Sequence, residues 1–140
     1  MMILAIILFV IFFILGLIHL NWALGSKQGI DKTIPTKENG EKLFTPRKID
    51  STAVGLGLIV FGLFYLIVSG LISFELPVWL IKYGAWIIPG IFILRAIGEF
   101  KYIGLFKRIK QTEFGKLDTK LYSPLCLLIG TIGLVIILMR

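Results

Sequence analysis

The chain is poor in the residues that staple, ligate or solvate a water-soluble domain. Its 140 residues include one cysteine, Cys126, and one histidine, His19. A lone thiol excludes an internal disulfide and a Cys-x-x-Cys redox pair, and with a lone imidazole it falls short of a tetrahedral ligand set. No metal and no other cofactor is expected. Charge is also scarce: 16% of residues are charged, against roughly 25% in an average soluble chain. Acidic residues are the rarer sign, eight against fifteen basic ones. The HExxH, GxSxG, Walker and Rossmann glycine signatures are all absent.

Apolar residues fill the space. They make up 57% of the chain, for a mean hydropathy of +0.94, and they lie in long blocks. Crossing about 30 Å of hydrocarbon at 1.5 Å per residue takes about 20 mostly apolar residues. Four stretches qualify, at about 1–24, 52–74, 78–98 and 122–139. The first has no Lys or Arg ahead of it and exceeds the roughly 7–15 residues of a signal-peptide core, so it reads as a retained helix. The expected fold is all-α, a single integral-membrane domain over 1–140 built as a four-transmembrane-helix bundle.

The basic residues set the expected orientation. Six lie in segment 25–51 and six in segment 99–121, twelve of the fifteen, leaving Lys82, Arg95 and Arg140. Cytoplasmic loops collect Lys and Arg, so both segments are placed in the cytoplasm and both termini outside. Neither segment is long enough to build a basic face on a folded domain, which speaks against nucleic acid as a partner. Anionic lipid headgroups are the expected partners of these loops. Within the second loop, Tyr102, Leu105, Phe106 and Ile109 share an arc of about 100° on a helical wheel, with Lys101, Lys107, Arg108 and Lys110 outside it. That pattern fits an interfacial amphipathic helix between helices three and four, or a plain continuation of helix three, and both readings stay open.

Contacts between helices in lipid form where small residues let backbones approach. Helix two offers Gly55, Gly62 and Ser69 at a seven-residue period, helix four Cys126, Gly130 and Gly133, and helix one Gly16 and Ala23. Pro89 cannot donate to the carbonyl of Ala85, so a kink is expected near the middle of helix three.

Two stretches carry a family resemblance: His19-Leu20-Asn21-Trp22-Ala23-Leu24-Gly25, and Leu94-Arg95-Ala96-Ile97-Gly98-Glu99-Phe100-Lys101-Tyr102-Ile103-Gly104. With Phe114, Leu117-Asp118-Thr119 and Tyr122-Ser123-Pro124-Leu125-Cys126, the chain resembles a family of small bacterial integral-membrane proteins of unknown function. The resemblance implies four membrane helices and a bacterial cytoplasmic membrane, and it supplies no activity.

Chemistry, if present, is expected at the loop end, where all four helices bring polar groups. His19 and Trp22 are one turn apart, as an acid or base beside an aromatic wall would be, and equally as an interfacial anchor would be. Arg95 and Glu99, four apart, are expected to pair along helix three, with Arg95 either holding a ligand or reaching the headgroups. Asp50 and Asp118 stand in similar tetrads, Lys-Ile-Asp-Ser and Lys-Leu-Asp-Thr, where capping of the following helix is the simplest role. The repeated tetrad also raises two related helical hairpins, although matches outside it are poor. Ser123-Pro124 reads as a further helix start, and Cys126 as a small packing residue.

The leading functional reading is a non-enzymatic membrane protein that binds a small apolar ligand, a lipid or a partner protein through its cytoplasmic half, with Trp22, Arg95 and Tyr122 as ligand-binding candidates. The alternative is a membrane-embedded enzyme on a lipidic substrate, with His19 as acid or base and Glu99 or Asp118 orienting it or Arg95. A third class is a small transporter or channel subunit, which would call for a homo-oligomer or a membrane protein partner. An enzyme needs a pocket with His19 and Arg95 on its walls, and a transporter needs a polar path to the outer face.

Overall fold

A computed structural model describes residues 1–25, 30–45 and 47–140. Lys27, counted above in the first basic segment, lies outside the described residues. The helices are α1 (Met2–Ala23), α2 (Lys48–Val68), α3 (Val78–Ile97), a short α4 (Glu113–Leu117) and α5 (Ser123–Met139). Among the described residues, four runs are long and apolar enough to cross a membrane, the last being the unbroken Glu113–Met139 of 27 residues. Among the described residues there is no strand beyond an isolated bridge between Thr36 and Lys42, which closes a turn in the first loop.

Three boundaries differ from expectation for local reasons. α2 starts earlier, at Lys48, because the Asp50 carboxylate accepts the Arg47 backbone N–H at 2.9 Å and so closes the first turn. It ends at Val68, where the amides of Leu71 and Ile72 both return to the Leu66 carbonyl. The fourth span begins at Glu113, capped by the Thr112 hydroxyl, which accepts from Gly115 N–H at 2.9 Å. Ser123 is therefore inside a helix rather than at its start. Residues Asp118–Tyr122 form a π-type turn, in which the Ser123 N–H bonds to Asp118 O. Pro124 has no N–H to give to the preceding turn, and a widened turn just ahead of it accommodates that loss.

The helices are apolar on nearly every face. In α1 only Ala5, Leu8, Phe12 and Gly16 are buried, a single stripe at helical spacing, while Ile3, Val10, Ile14 and Leu17 point outward. A helix apolar all round with one buried stripe suits a lipid surround.

The small-residue seams are where the backbones meet. A Cβ on Gly55 would lie 2.9 Å from Gly16 O, and one on Gly16 would lie 2.9 Å from Gly55 O, so α1 and α2 touch backbone to backbone. Gly62 continues that contact against Phe9 and Phe12. On the other pair, α5 presents Gly130 to Pro89 O and Gly133 to the Pro89 ring. The chain thus forms two hairpins, α1 with α2 and α3 with α5. An aromatic cluster joins them: Phe12 lies 5.3 Å from Phe92 and 6.2 Å from Tyr65 between ring centroids, and the Tyr65 hydroxyl reaches Gly133. Lipid tails are as apolar as these side chains, so what holds the hairpins is close packing, with aromatic pairs adding about 0.5–1.5 kcal/mol each.

Segment 100–109 is not a helix, neither interfacial nor a continuation of α3. Gly98 stops α3 with φ +81° and ψ −170°, a region that is essentially glycine's own. Here the chain folds back on itself so tightly that a Cβ on Gly98 would sit 1.9 Å from Ile103 O and one on Gly104 2.2 Å from Ile97 O. Leu105 N–H then bonds to Ala96 O at 2.7 Å. The fold-back breaks the helical wheel: Lys107, expected on the solvated side, is buried together with Ile109.

Candidate functional site

At the loop end of the bundle, the fold-back after α3 and the π-type turn before α5 converge on Asp118. Its side chain is fully buried, and both oxygens meet cations. Oδ1 pairs with Arg95 Nη2 at 2.9 Å, and Oδ2 lies 3.3 Å from Lys107 Nζ. Oδ2 also accepts the Gly104 backbone N–H at 2.7 Å. The Lys107 ammonium, itself sealed from solvent, donates further to Gly104 O at 3.1 Å and to the Thr119 hydroxyl. Two hydrogen bonds and an ion pair thus hold the ammonium inside the fold. One arm of Arg95 is not so provided: Nη1 is buried with no acceptor among the described residues. The same holds for the Ser123 hydroxyl, one turn past the π-type segment.

Beside this cluster runs a groove of about 690 Å³, walled by α1, α2, α3 and α5 with Tyr122 of the π-type turn. Its apolar walls come from Leu15, Leu58, Phe92 and Leu125, and its polar groups are His19, Asn21, Thr33, Arg95, Tyr122 and Cys126. Phe92 also belongs to the aromatic cluster, so the floor of the groove is the packed centre of the bundle. His19 is held by a bond between Nδ1 and Leu15 O at 2.8 Å. A carbonyl only accepts, so Nδ1 donates its proton to Leu15 O, and Nε2 is the ring nitrogen outside that bond. Trp22 packs edge-on against His19 with 4.9 Å between ring centroids. Tyr122 donates its hydroxyl to Lys32 O at 3.1 Å and packs on Phe114, tying the first loop down over the groove mouth. A second hollow of about 640 Å³ lies farther out, between Thr36, Glu38 and Lys42 of the first loop and Gln111 to Glu113, and has no comparable apolar floor.

Of the residues singled out from sequence, His19, Trp22, Arg95 and Tyr122 come together on the groove walls. Asp118 stands behind Arg95 rather than on the wall, and it is not a helix cap: it sits mid-run, in the π-type turn, as the counter-ion of two cations. Glu99 does not pair with Arg95. α3 has ended by then, and Glu99 Oε1 instead accepts the amides of Lys101, Tyr102 and Ile103 in the fold-back. Slight burial would raise the Glu99 carboxyl, but those three amides and the Lys101 charge outweigh it and hold the carboxyl below its ordinary range. Asp50 does serve its helix start, through Arg47. Lys107 was missed because its place in an amphipathic pattern made it look solvated. The available signal was the pair of glycines, Gly98 and Gly104, bracketing a segment too short to cross itself any other way.

Among the described residues no group of three or more His, Cys, Asp or Glu side chains is arranged to hold a metal ion. Compared with known families, residues 12–132 match one described as protein of unknown function (DUF3995). The chain belongs to this family. The match encloses the whole buried cluster and every polar residue of the groove, from His19 to Cys126. No curated protein and no solved structure matches the chain.

Proposed function

We propose that this is a multi-pass membrane protein that binds one elongated, mostly apolar molecule, a lipid of the surrounding bilayer, in the groove at its loop end. The observation that carries the reading is the groove itself. At about 690 Å³ it falls in the roughly 300–1,000 Å³ range of small-molecule sites, and like them it combines apolar walls with a few convergent polar groups. His19, Trp22, Arg95 and Tyr122 are its proposed ligand-binding residues. The basic loops favour a cytoplasmic position for this end, with both termini outside, and the family resemblance favours a bacterial cytoplasmic membrane. Anionic headgroups are the proposed neighbours of the exposed lysines in those loops.

A second reading, an enzyme acting on a lipidic substrate, is favoured by one observation: His19 and Arg95 do share a pocket, with Nε2 of His19 available as a base. Its weakness is the missing third partner. Glu99 is committed to backbone amides and Asp118 to two cations, and neither lines the groove. A transporter is the least supported class, because the aromatic cluster of Phe12, Tyr65 and Phe92 occupies the route from the groove to the opposite end.

Native mass spectrometry of protein extracted with minimal delipidation tests the proposal. Wild type is expected to carry one lipid per chain, and Val54→Trp, which fills the groove from α2, is expected to lose it while keeping its helix content. Bare wild type, or an adduct that survives Val54→Trp, refutes the reading. Loss of adduct over time in wild type but not in His19→Ala would favour the enzyme. The same spectra give the number of chains in the assembly.

A further inference from the structure

The charges around Asp118 do not balance. Arg95 and Lys107 contribute two positive charges and Asp118 one negative, leaving one positive charge over. Lys107 is enclosed, bonded to Gly104 O and the Thr119 hydroxyl and ion-paired with Asp118. Arg95 is the member on the groove wall, its side chain 30% exposed, and its sealed Nη1 has no acceptor among the described residues. No carboxylate among the described residues lines the groove, and Glu99, the nearest in sequence, is spent on the fold-back amides. Of the other side chains on the wall, the Tyr122 hydroxyl is engaged with Lys32 O, the His19 imidazole supplies no anion, and Cys126 is a thiol. An uncompensated charge in a site walled by Leu15, Leu58 and Phe92 is costly unless an anion joins it.

We propose that the ligand is a long-chain monocarboxylate, its tail along the apolar walls and its carboxylate completing the charge balance at Arg95. This rests on the groove-binding reading above and names the chemical class that fills it. One leftover charge matches one carboxylate. A phosphate monoester carries about −1.5 to −2 near neutral pH and would overshoot, and a neutral or zwitterionic head would leave the guanidinium uncompensated. Hydrogen bonds between charged partners are the strong ones, so the head rather than the tail sets the preference.

The test is titration of purified protein, in an uncharged maltoside detergent, with hexadecanoate, hexadecan-1-ol and hexadecyl phosphate, read by native mass spectrometry. Hexadecanoate is expected to bind one per chain and at least about tenfold more tightly than the alcohol, the preference of a charged over a neutral hydrogen-bond partner. Arg95→Gln leaves Lys107 and Asp118 as a balanced pair and is expected to bring acid and alcohol to equal affinity. Equal affinity in wild type overturns this proposal while leaving the groove reading intact, and tighter binding of hexadecyl phosphate overturns it in favour of a phosphate head. Failure of all three probes to bind refutes the groove reading itself. The wild-type comparison decides the matter even if Arg95→Gln does not fold.

Discussion

Asp118→Asn is the most informative single change, because it keeps the shape of the side chain while removing the charge that two cations share and turning one acceptor oxygen into an NH2 donor. In wild type the carboxylate meets Arg95 at 2.9 Å and Lys107 at 3.3 Å, with no surface exposed on Asp118 or Lys107. Removing one partner of a buried ion pair costs about 3–5 kcal/mol, since the remaining charge stays buried without compensation. Here two such charges remain, so the loss is expected in that range. The exposed pairs Lys32–Glu113 and Lys37–Glu41, at 3.8 and 3.9 Å, are the internal control: pairs of that kind contribute about 0–1 kcal/mol. Adding Lys107→Met to Asp118→Asn returns the cluster to its original leftover charge of one. The double variant should therefore recover at least about 1 kcal/mol relative to the sum of the two single changes, as coupled neighbours do. Reversible unfolding in mild detergent, followed by helix content, measures all four proteins. If Asp118→Asn falls within about 1 kcal/mol of wild type, or if the double variant is simply additive, the cluster does not hold the loop end together and the charge argument fails with it.

The fold-back offers two further tests. Gly98→Ala places a Cβ 1.9 Å from Ile103 O at a φ of +81°, and the conformational penalty alone is about 1–3 kcal/mol. It should raise amide exchange at Leu105, whose bond to Ala96 O closes the fold-back, and unchanged exchange there would refute the geometry. Glu99, held below its ordinary value of 4.5, contributes order to this loop above that value and loses it as pH falls through its lower folded value. Protection of the Lys101 and Ile103 amides, corrected for intrinsic exchange, should drop on acidification in wild type and show no such pH dependence in Glu99→Gln. The effect is expected to be small, because the carboxylate is exposed and solvent screens it.

What sequence alone conveyed follows from how far each interaction reaches. Spans of about 20 apolar residues and seams of Gly55, Gly62, Gly130 and Gly133 are visible because lipid imposes them residue by residue, whatever packs alongside. The gathering of His19, Trp22, Arg95 and Tyr122 was also readable, since four antiparallel spans put one end of every helix on the same face. The partners of the charges were not. Spacing along a helix offered Arg95 the carboxylate of Glu99, but α3 ends at Ile97, and the carboxylate that Arg95 reaches belongs to Asp118, on another span.

Asp50 and Asp118 show why local pattern stops short of role. Their tetrads are nearly the same, and each precedes an apolar run by a few residues. Asp50 stays at the surface and accepts a backbone N–H three residues back, which is all that a helix start asks of it. Asp118 would have the same role if its helix began beside it, but Thr112 starts the helix earlier and carries Asp118 a turn and more into the run. There it meets the end of α3 and the fold-back that Gly98 and Gly104 permit, and burial forces it to find cations. Once Arg95 and Lys107 both answer, the charge they leave over faces the groove, and that leftover charge is the feature of this end of the bundle that a ligand would read.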